Sequence, residues 1–291
     1  SSATAANASS SFNRSIIDFY YIPMRNNNVL KYLIIIDRVL PRLSFAGQEN
    51  NAGGHPMQRL FKAADRGADH ADWLETRYSF SFAGWHNPQR MGFRSLRVLN
   101  EDRIAPGAGF GAHPHRDMEI LTIVLKGALA HEDSSGSTAV LQAGDVQRMS
   151  AGRGVVHSEW NASNDEALHL LQIWILPSDR GTAPSHDESS GLFPVDEDSP
   201  DGLLLLVAPS STKAPLHIGQ DAAIFSGRAR ADNRLMHTLE SGRGAYVQAV
   251  KGGLLVNGTP LEEGDGLAVE DEPRMELTSD SSGDFLLFDL A

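Results

Sequence analysis

Hydrophobic and polar residues alternate along much of the chain from residue 78 onward. YSFSFAGW (78–85) sets aromatic against small residues, and SLRVLNEDRI (95–104) sets apolar against polar ones. Successive side chains of a strand point to opposite faces, so both patterns predict β-strands. MEILTIVLKG (118–127) is a β-branched run ending in glycine, and LHLLQIWILP (168–177) is a buried-strand run stopped by Pro177. Turn signals lie between them: HNP, NED, APGAG, DSSG, QAGD and SAGRG. Many short strands at this spacing predict an all-β sandwich or barrel with few short helices.

A weak repeat refines that expectation. VLKGALAHEDSSGSTAVLQAGDV (124–146) resembles AVKGGLLVNGTPLEEGDGL (249–267). In each, a strand ends in Lys-Gly, a hairpin follows, and a second strand ends in Gly-Asp. The step from Lys-Gly to Gly-Asp is 18 in the first copy and 13 in the second. One unit with two hairpin lengths predicts two copies of one β-barrel. The stretch 181–202, rich in Pro, Ser, Gly and acidic residues, reads as an exposed connector between a domain at 57–180 and one at 203–291. Residues 1–56 have a different texture, with SSATAANASSS, NNN and GQENNAGGHP. They read as an N-terminal extension, flexible or non-native, in which VLKYLIIIDRVL (29–40) could form a short docking element.

Composition narrows the chemistry. The chain has 291 residues, 41% hydrophobic and 21% charged, enough for a sizeable core. It contains no cysteine, which excludes disulfides, thiolate zinc sites and a cysteine nucleophile. The formal charge is −12 and no Lys/Arg cluster occurs, so direct nucleic-acid binding is not expected. YLIIID (32–37) is too short to span a bilayer, and the start does not read as a signal peptide, so the expected location is the cytoplasm. There is no G-x-S-x-G elbow and no Walker loop. GAGFGA (107–112) has strands on both sides and reads as a turn.

The candidate chemistry lies in GAHPHRDMEI (111–120). Residues two apart on a strand share a face, so His113 and His115 aim together, with Pro114 on the other side. Proline favours an edge or strand beginning, which places the pair near a barrel mouth. SAGRGVVHSEWN (150–161) offers a second such pair, His157 and Glu159. Three imidazoles and one carboxylate suit a divalent transition metal and leave positions open for catalysis. Asp117 and Glu119 share the parity of the histidine pair, so either is also a candidate ligand. His131, in the HEDSSG hairpin, reads as exposed. His169 reads as a core histidine or one supporting a ligand. His55, His70, His86, His217 and His237 have no companions and read as structural. Phe110 and Met149 are candidates for ligand contact or, more simply, core packing.

At these residues the sequence resembles the cupin superfamily. The first cupin motif falls on Gly107, His113, His115, Glu119 and Gly127, with seven residues before the last glycine where the family has six. The second falls on Gly144, Ser150, Gly152, His157 and Asn161, with serine in place of proline and four residues rather than two before the histidine. These departures are similar to the pirin branch, above all to bacterial pirin-like proteins described as quercetin 2,3-dioxygenases. The likeness runs from about residue 57 to 177 and continues more weakly to the C-terminus. Residues 1–56 have no counterpart in it. The resemblance implies a bicupin monomer with metal in the N-terminal barrel only, held by His113, His115, His157 and Glu159. The C-terminal barrel, lacking both histidine motifs, is then expected to serve packing. Typical cupins use the residue at Glu119 instead; here Glu119 is expected to orient a ligand histidine from behind. Iron is the first expectation for the metal, with Cu, Ni, Co, Mn or Zn as alternatives. The implied activity is dioxygenase cleavage of a flavonol such as quercetin with O2, releasing carbon monoxide, with Glu159 as general base. One alternative is a pirin that senses metal redox state and regulates a transcription factor or metabolic enzyme through a protein partner. Another is a cupin with a different small-molecule reaction and flavonol cleavage as a side activity.

Overall fold

The computed structural model describes residues 19–22, 30–33, 57–197, 199 and 201–291. Strands Phe19–Ile22 and Leu30–Leu33 pair antiparallel with each other. The remainder of the expected extension over 1–56 lies outside the described residues. Elsewhere among the described residues the chain is strand and turn, with one three-residue 3-10 segment, Ala63–Asp65. No helix among them is long and apolar enough to cross a membrane.

Two seven-stranded sheets each face a four-stranded sheet. The first large sheet runs Ser185–Ser189, Val146–Ser150, Glu119–Lys126, Leu168–Ile175, Leu96–Ile104, Leu74–Tyr78, Gly67–Ala71. Its partner runs Thr138–Gln142, Ala128–Asp133, Val155–Asn161, Gly109–His115. The second large sheet runs Met57–Phe61, Gly266–Glu270, Gly244–Gly252, Ser282–Leu290, Ala222–Arg230, Gly202–Ala208, Leu216–His217. Both sequence repeats occupy the same place: 119–126 lies between 146–150 and 168–175, as 244–252 lies between 266–270 and 282–290.

The edges differ from the sequence expectation. Met57–Phe61 pairs with Gly266–Glu270 in the second sheet, not with the first domain. The connector is not merely an exposed linker. Its residues Ser185–Ser189 pair antiparallel with Val146–Ser150 and take the matching edge of the first sheet. SHDES has no aliphatic side chain, so hydrophobic patterning could not mark it. Backbone pairing recruits it, with Arg148 ion-paired to Asp187 and His186 Nε2 2.7 Å from Gln147. Leu192 and Phe193 just beyond it are buried.

The two large sheets pack back to back. Leu121, Ile123, Leu171 and Ile173 of the first meet a cluster that includes Ile224, Tyr246, Leu286 and Phe288 of the second. Each such buried side chain contributes about 1.5–3 kcal/mol of transfer free energy. The barrel interiors are unequal. The second is filled by one apolar cluster that includes Val247, Val269, Met275, Phe285 and Leu287. The first has two smaller clusters, one around Leu74, Ile104, Val124 and Leu168, the other around Val98, Ile120, Met149 and Trp174. Between them the inward positions of three central strands turn polar: Asn100 and Asp102, Thr122, and Gln172. That break in the core holds the site.

Candidate metal centre

Strands Gly109–His115 and Val155–Asn161 carry the centre. They pair antiparallel, with His157 opposite His113 and Val155 opposite His115. Between the pairs His157–His113 and Glu159–Phe110, one strand advances two residues and the other three, a bulge. The bulge turns Phe110 toward the cavity beside the histidines. Its Gly111 carbonyl lies 2.8 Å from His113 Nδ1. A carbonyl only accepts, so Nδ1–H donates and His113 Nε2 keeps its lone pair. Gly109 is required at the start of the strand, because a Cβ there would lie 2.3 Å from Glu159 O and 2.5 Å from Trp160 Cα.

The three imidazoles converge. Ring centroids are 4.4 Å apart for His113–His157, 4.8 Å for His113–His115 and 4.8 Å for His115–His157. One ring nitrogen from each falls within 4.8 Å of the others. Trp174 buttresses His115 edge-on at 4.9 Å. Both ring nitrogens of buried His157 lack a hydrogen-bond partner, a costly state unless something else satisfies them. Burial, reinforced by the neighbouring imidazoles, pushes His115 and His157 well below 6.5; burial also lowers His113. All three are therefore neutral at neutral pH, the form that binds a metal. The donor set and the orphaned His157 nitrogens fit a divalent transition ion.

Glu159 stands on the same face, but its carboxylate groups with His157 and His131 rather than with His113 and His115. Gln172 Nε2 donates to it at 2.9 Å and Thr122 Oγ1 at 3.3 Å. His131 is not exposed as its hairpin suggested. It is 3% exposed, because it sits opposite Glu159 on the neighbouring strand and points inward. Its Nε2 lies 3.5 Å from Asp133 Oδ2, and its ring stacks on His186 at 4.9 Å. His186 carries no sequence signal, since it lies on the connector strand and reaches this face only through sheet pairing.

Other candidates fall elsewhere. Glu119 is buried on the opposite face of its strand, where it accepts a 2.6 Å hydrogen bond from Ser150 and abuts Gly219 of the second barrel. It does not stand behind a site histidine, because the turn at Asp117, with φ of 50°, separates its strand from the His113–His115 strand. Asp117 itself accepts from the Gly181 amide. His169 faces outward and pairs with Glu101 at 2.9 Å, so it is neither core nor support for the site. Met149 is core. Phe110 lines the cavity, a pocket of about 70 Å³ bounded also by Tyr78, Asp102, His113, Glu159 and Trp174. Burial pushes Asp102 up to about 7, with Thr76 opposing and Glu159 adding to the rise.

Two packed double-sheet barrels, one filled with apolar side chains and one opened around an imidazole cluster, define a bicupin whose candidate metal centre, among the described residues, lies in the first barrel. Comparison with known proteins gives the family. The pirin family model matches residues 60–175, and the model described as the quercetinase C-terminal cupin domain matches 205–290. The chain is 41% identical over 234 residues to a protein of Escherichia coli K12 named quercetin 2,3-dioxygenase, covering 80% of this chain and 99% of the relative. It is 38% identical to a pirin-like protein of Caulobacter vibrioides, covering 77% of this chain and 95% of the relative. The crystal structure of the bacterial pirin YhhW from E. coli in complex with nickel(II) is similar with a TM-score of 0.75 and 40% identity, covering 80% of this chain and 99% of that one. The chain belongs to the pirin family.

Proposed function

We propose that the protein is a metal-dependent dioxygenase that cleaves a flavonol such as quercetin. The observation that carries this reading is the meeting of three neutral imidazoles at a cavity, with both His157 nitrogens left without a protein partner. Similarity to the E. coli relative named quercetin 2,3-dioxygenase supplies the substrate class. In this reading His113, His115 and His157 hold the ion and Glu159 completes the set. Iron is the first candidate; affinity alone would favour copper or nickel, so supply decides. The ion, when bound, supplies Lewis acidity toward a hydroxyl and open coordination positions.

The remaining work falls to the chain's own side chains. Glu159, held by Gln172 and Thr122, takes the proton of the flavonol 3-hydroxyl as general base. Tyr78, Phe82 and Trp174 form an aromatic wall, with neighbouring rings 5.4 and 5.3 Å apart, that receives a flat ligand and excludes water. One flavonol and one O2 give one carbon monoxide and one depside, so no further reductant is needed. The test is quercetin turnover in air by metal-reconstituted and metal-stripped protein, followed by loss of long-wavelength absorbance and release of carbon monoxide. Metal-dependent release is expected. Tight metal binding without turnover across iron, copper, nickel, cobalt and manganese would overturn the reading in favour of a regulatory pirin.

A further inference from the structure

The wall of the cavity opposite the histidine strands is polar where a barrel core should be apolar. Strand Leu74–Tyr78 turns Thr76 inward, and Leu96–Ile104 turns Asn100 and Asp102 inward. Thr76 lies directly across the ladder from Asp102, and Tyr78 from Asn100. These three polar residues are 2%, 3% and 5% exposed for Thr76, Asn100 and Asp102. Asn100 Oδ1 has no hydrogen-bond partner, and Thr76 Oγ1 has none of full geometry although it lies against the Asp102 carboxyl. Leaving such groups unpaired is unfavourable, and a purely structural role would be met better by apolar residues. The second barrel shows that alternative, with Ala245, Val247, Ala249, Phe285 and Leu287 in its core. The polar groups also share one cavity with His113, His115 and Glu159.

We propose that Asp102, with Asn100 and Thr76, forms a hydroxyl-binding floor that selects polyhydroxylated aromatic ligands. The inference rests on the flavonol reading of the same cavity and extends it. A ligand chelated through its 3-hydroxy-4-keto edge at the histidines presents its outlying phenolic hydroxyls to this floor. Asp102 and Asn100 accept from them, and Thr76 donates or accepts. Burial, which holds the Asp102 carboxyl up at about 7, also lets it donate in its protonated form. A site built to bind hydroxyls rejects analogues that lack them, because its buried polar groups then stay unpaired.

The test is equilibrium binding of quercetin and 3-hydroxyflavone to nickel-loaded full-length protein under argon. Both ligands keep the chelating edge; only quercetin carries the outlying hydroxyls. The unmodified protein is expected to prefer quercetin at least about tenfold. Asp102→Leu should bring that preference to within about twofold, with 3-hydroxyflavone affinity and nickel content unchanged, and Asp102→Asn should restore most of it. Thr76→Val is a near-isosteric second variant and should lose part of the preference; full retention in both Asp102→Leu and Thr76→Val overturns the floor. Quercetin turnover with the preference intact in those variants overturns the floor and leaves the dioxygenase reading standing. Loss of preference without turnover in any metal form supports the floor and overturns the dioxygenase reading. Binding of neither flavonol by the unmodified protein overturns both.

Discussion

Metal-free protein should lose stability when the pH falls from about 7.5 to about 5.5, and Asp102 should mask most of that loss. The fold keeps His115 and His157 neutral, with values well below 6.5, while the unfolded chain protonates both near 6.5. Their contribution is therefore complete above 6.5 and is lost as pH drops toward their folded values. One pH unit below 6.5, each costs about 1.4 kcal/mol, or about 3 kcal/mol for the pair. His113, lowered by burial, adds in the same direction. Asp102 acts in the opposite sense. Raised from 3.8 to about 7, it binds a proton in the fold that the unfolded chain does not bind. Acid therefore favours the folded state by about 2 kcal/mol through this group over the same interval. The unmodified protein should lose about 1 kcal/mol net, and Asp102→Asn about 3 kcal/mol. Urea unfolding of the metal-stripped unmodified protein and of Asp102→Asn at the two pH values reads the difference. Equal pH sensitivity in the two would refute the reasoning, because the opposing carboxyl would then have no effect.

His115→Ala should strip most of the metal, while Glu119→Gln, altered on the far side of its strand, should leave it bound; elemental analysis after dialysis decides, and equal losses would make Glu119 a ligand. Gly109→Val forces a side chain into the Glu159–Trp160 backbone and should cost at least about 1–3 kcal/mol, read as a lower melting temperature together with weaker metal retention. Arg228 and Asp284 form a buried pair at 2.5 and 2.8 Å in the second barrel. Arg228→Ala leaves that carboxylate unpaired and should cost about 3–5 kcal/mol in unfolding experiments; any variant that still folds should keep its metal.

The legible part of the site was local. His113 with His115, and His157 with Glu159, are i, i+2 pairs whose shared face follows from strand geometry alone. Sequence parity misplaced Glu119, because parity carries across a continuous strand but not across the turn at Asp117. His131 was misread because its hairpin is polar in composition, whereas the register opposite Glu159 turns it inward. His186 and the edge strand around it were silent, since a strand recruited by backbone pairing needs no hydrophobic pattern. The same holds for Met57–Phe61, which continues the texture of the first domain in sequence but completes the second sheet.

The amino-acid sequence by itself determined that the protein is all-β, that one barrel unit occurs twice, and that its imidazoles come in paired positions. Alternation and turn residues act over a few residues, and that short range is where sequence patterns are informative. Tertiary structure alone decided which edge strand closes each sheet and which polar residues look into the cavity. Those outcomes depend on contacts between residues far apart in the chain: Thr76 beside Asp102, Gln172 on Glu159, and Ser185–Ser189 on Val146–Ser150. No local pattern specifies such pairings, because they are settled by which sheet faces which once the apolar surfaces have been buried.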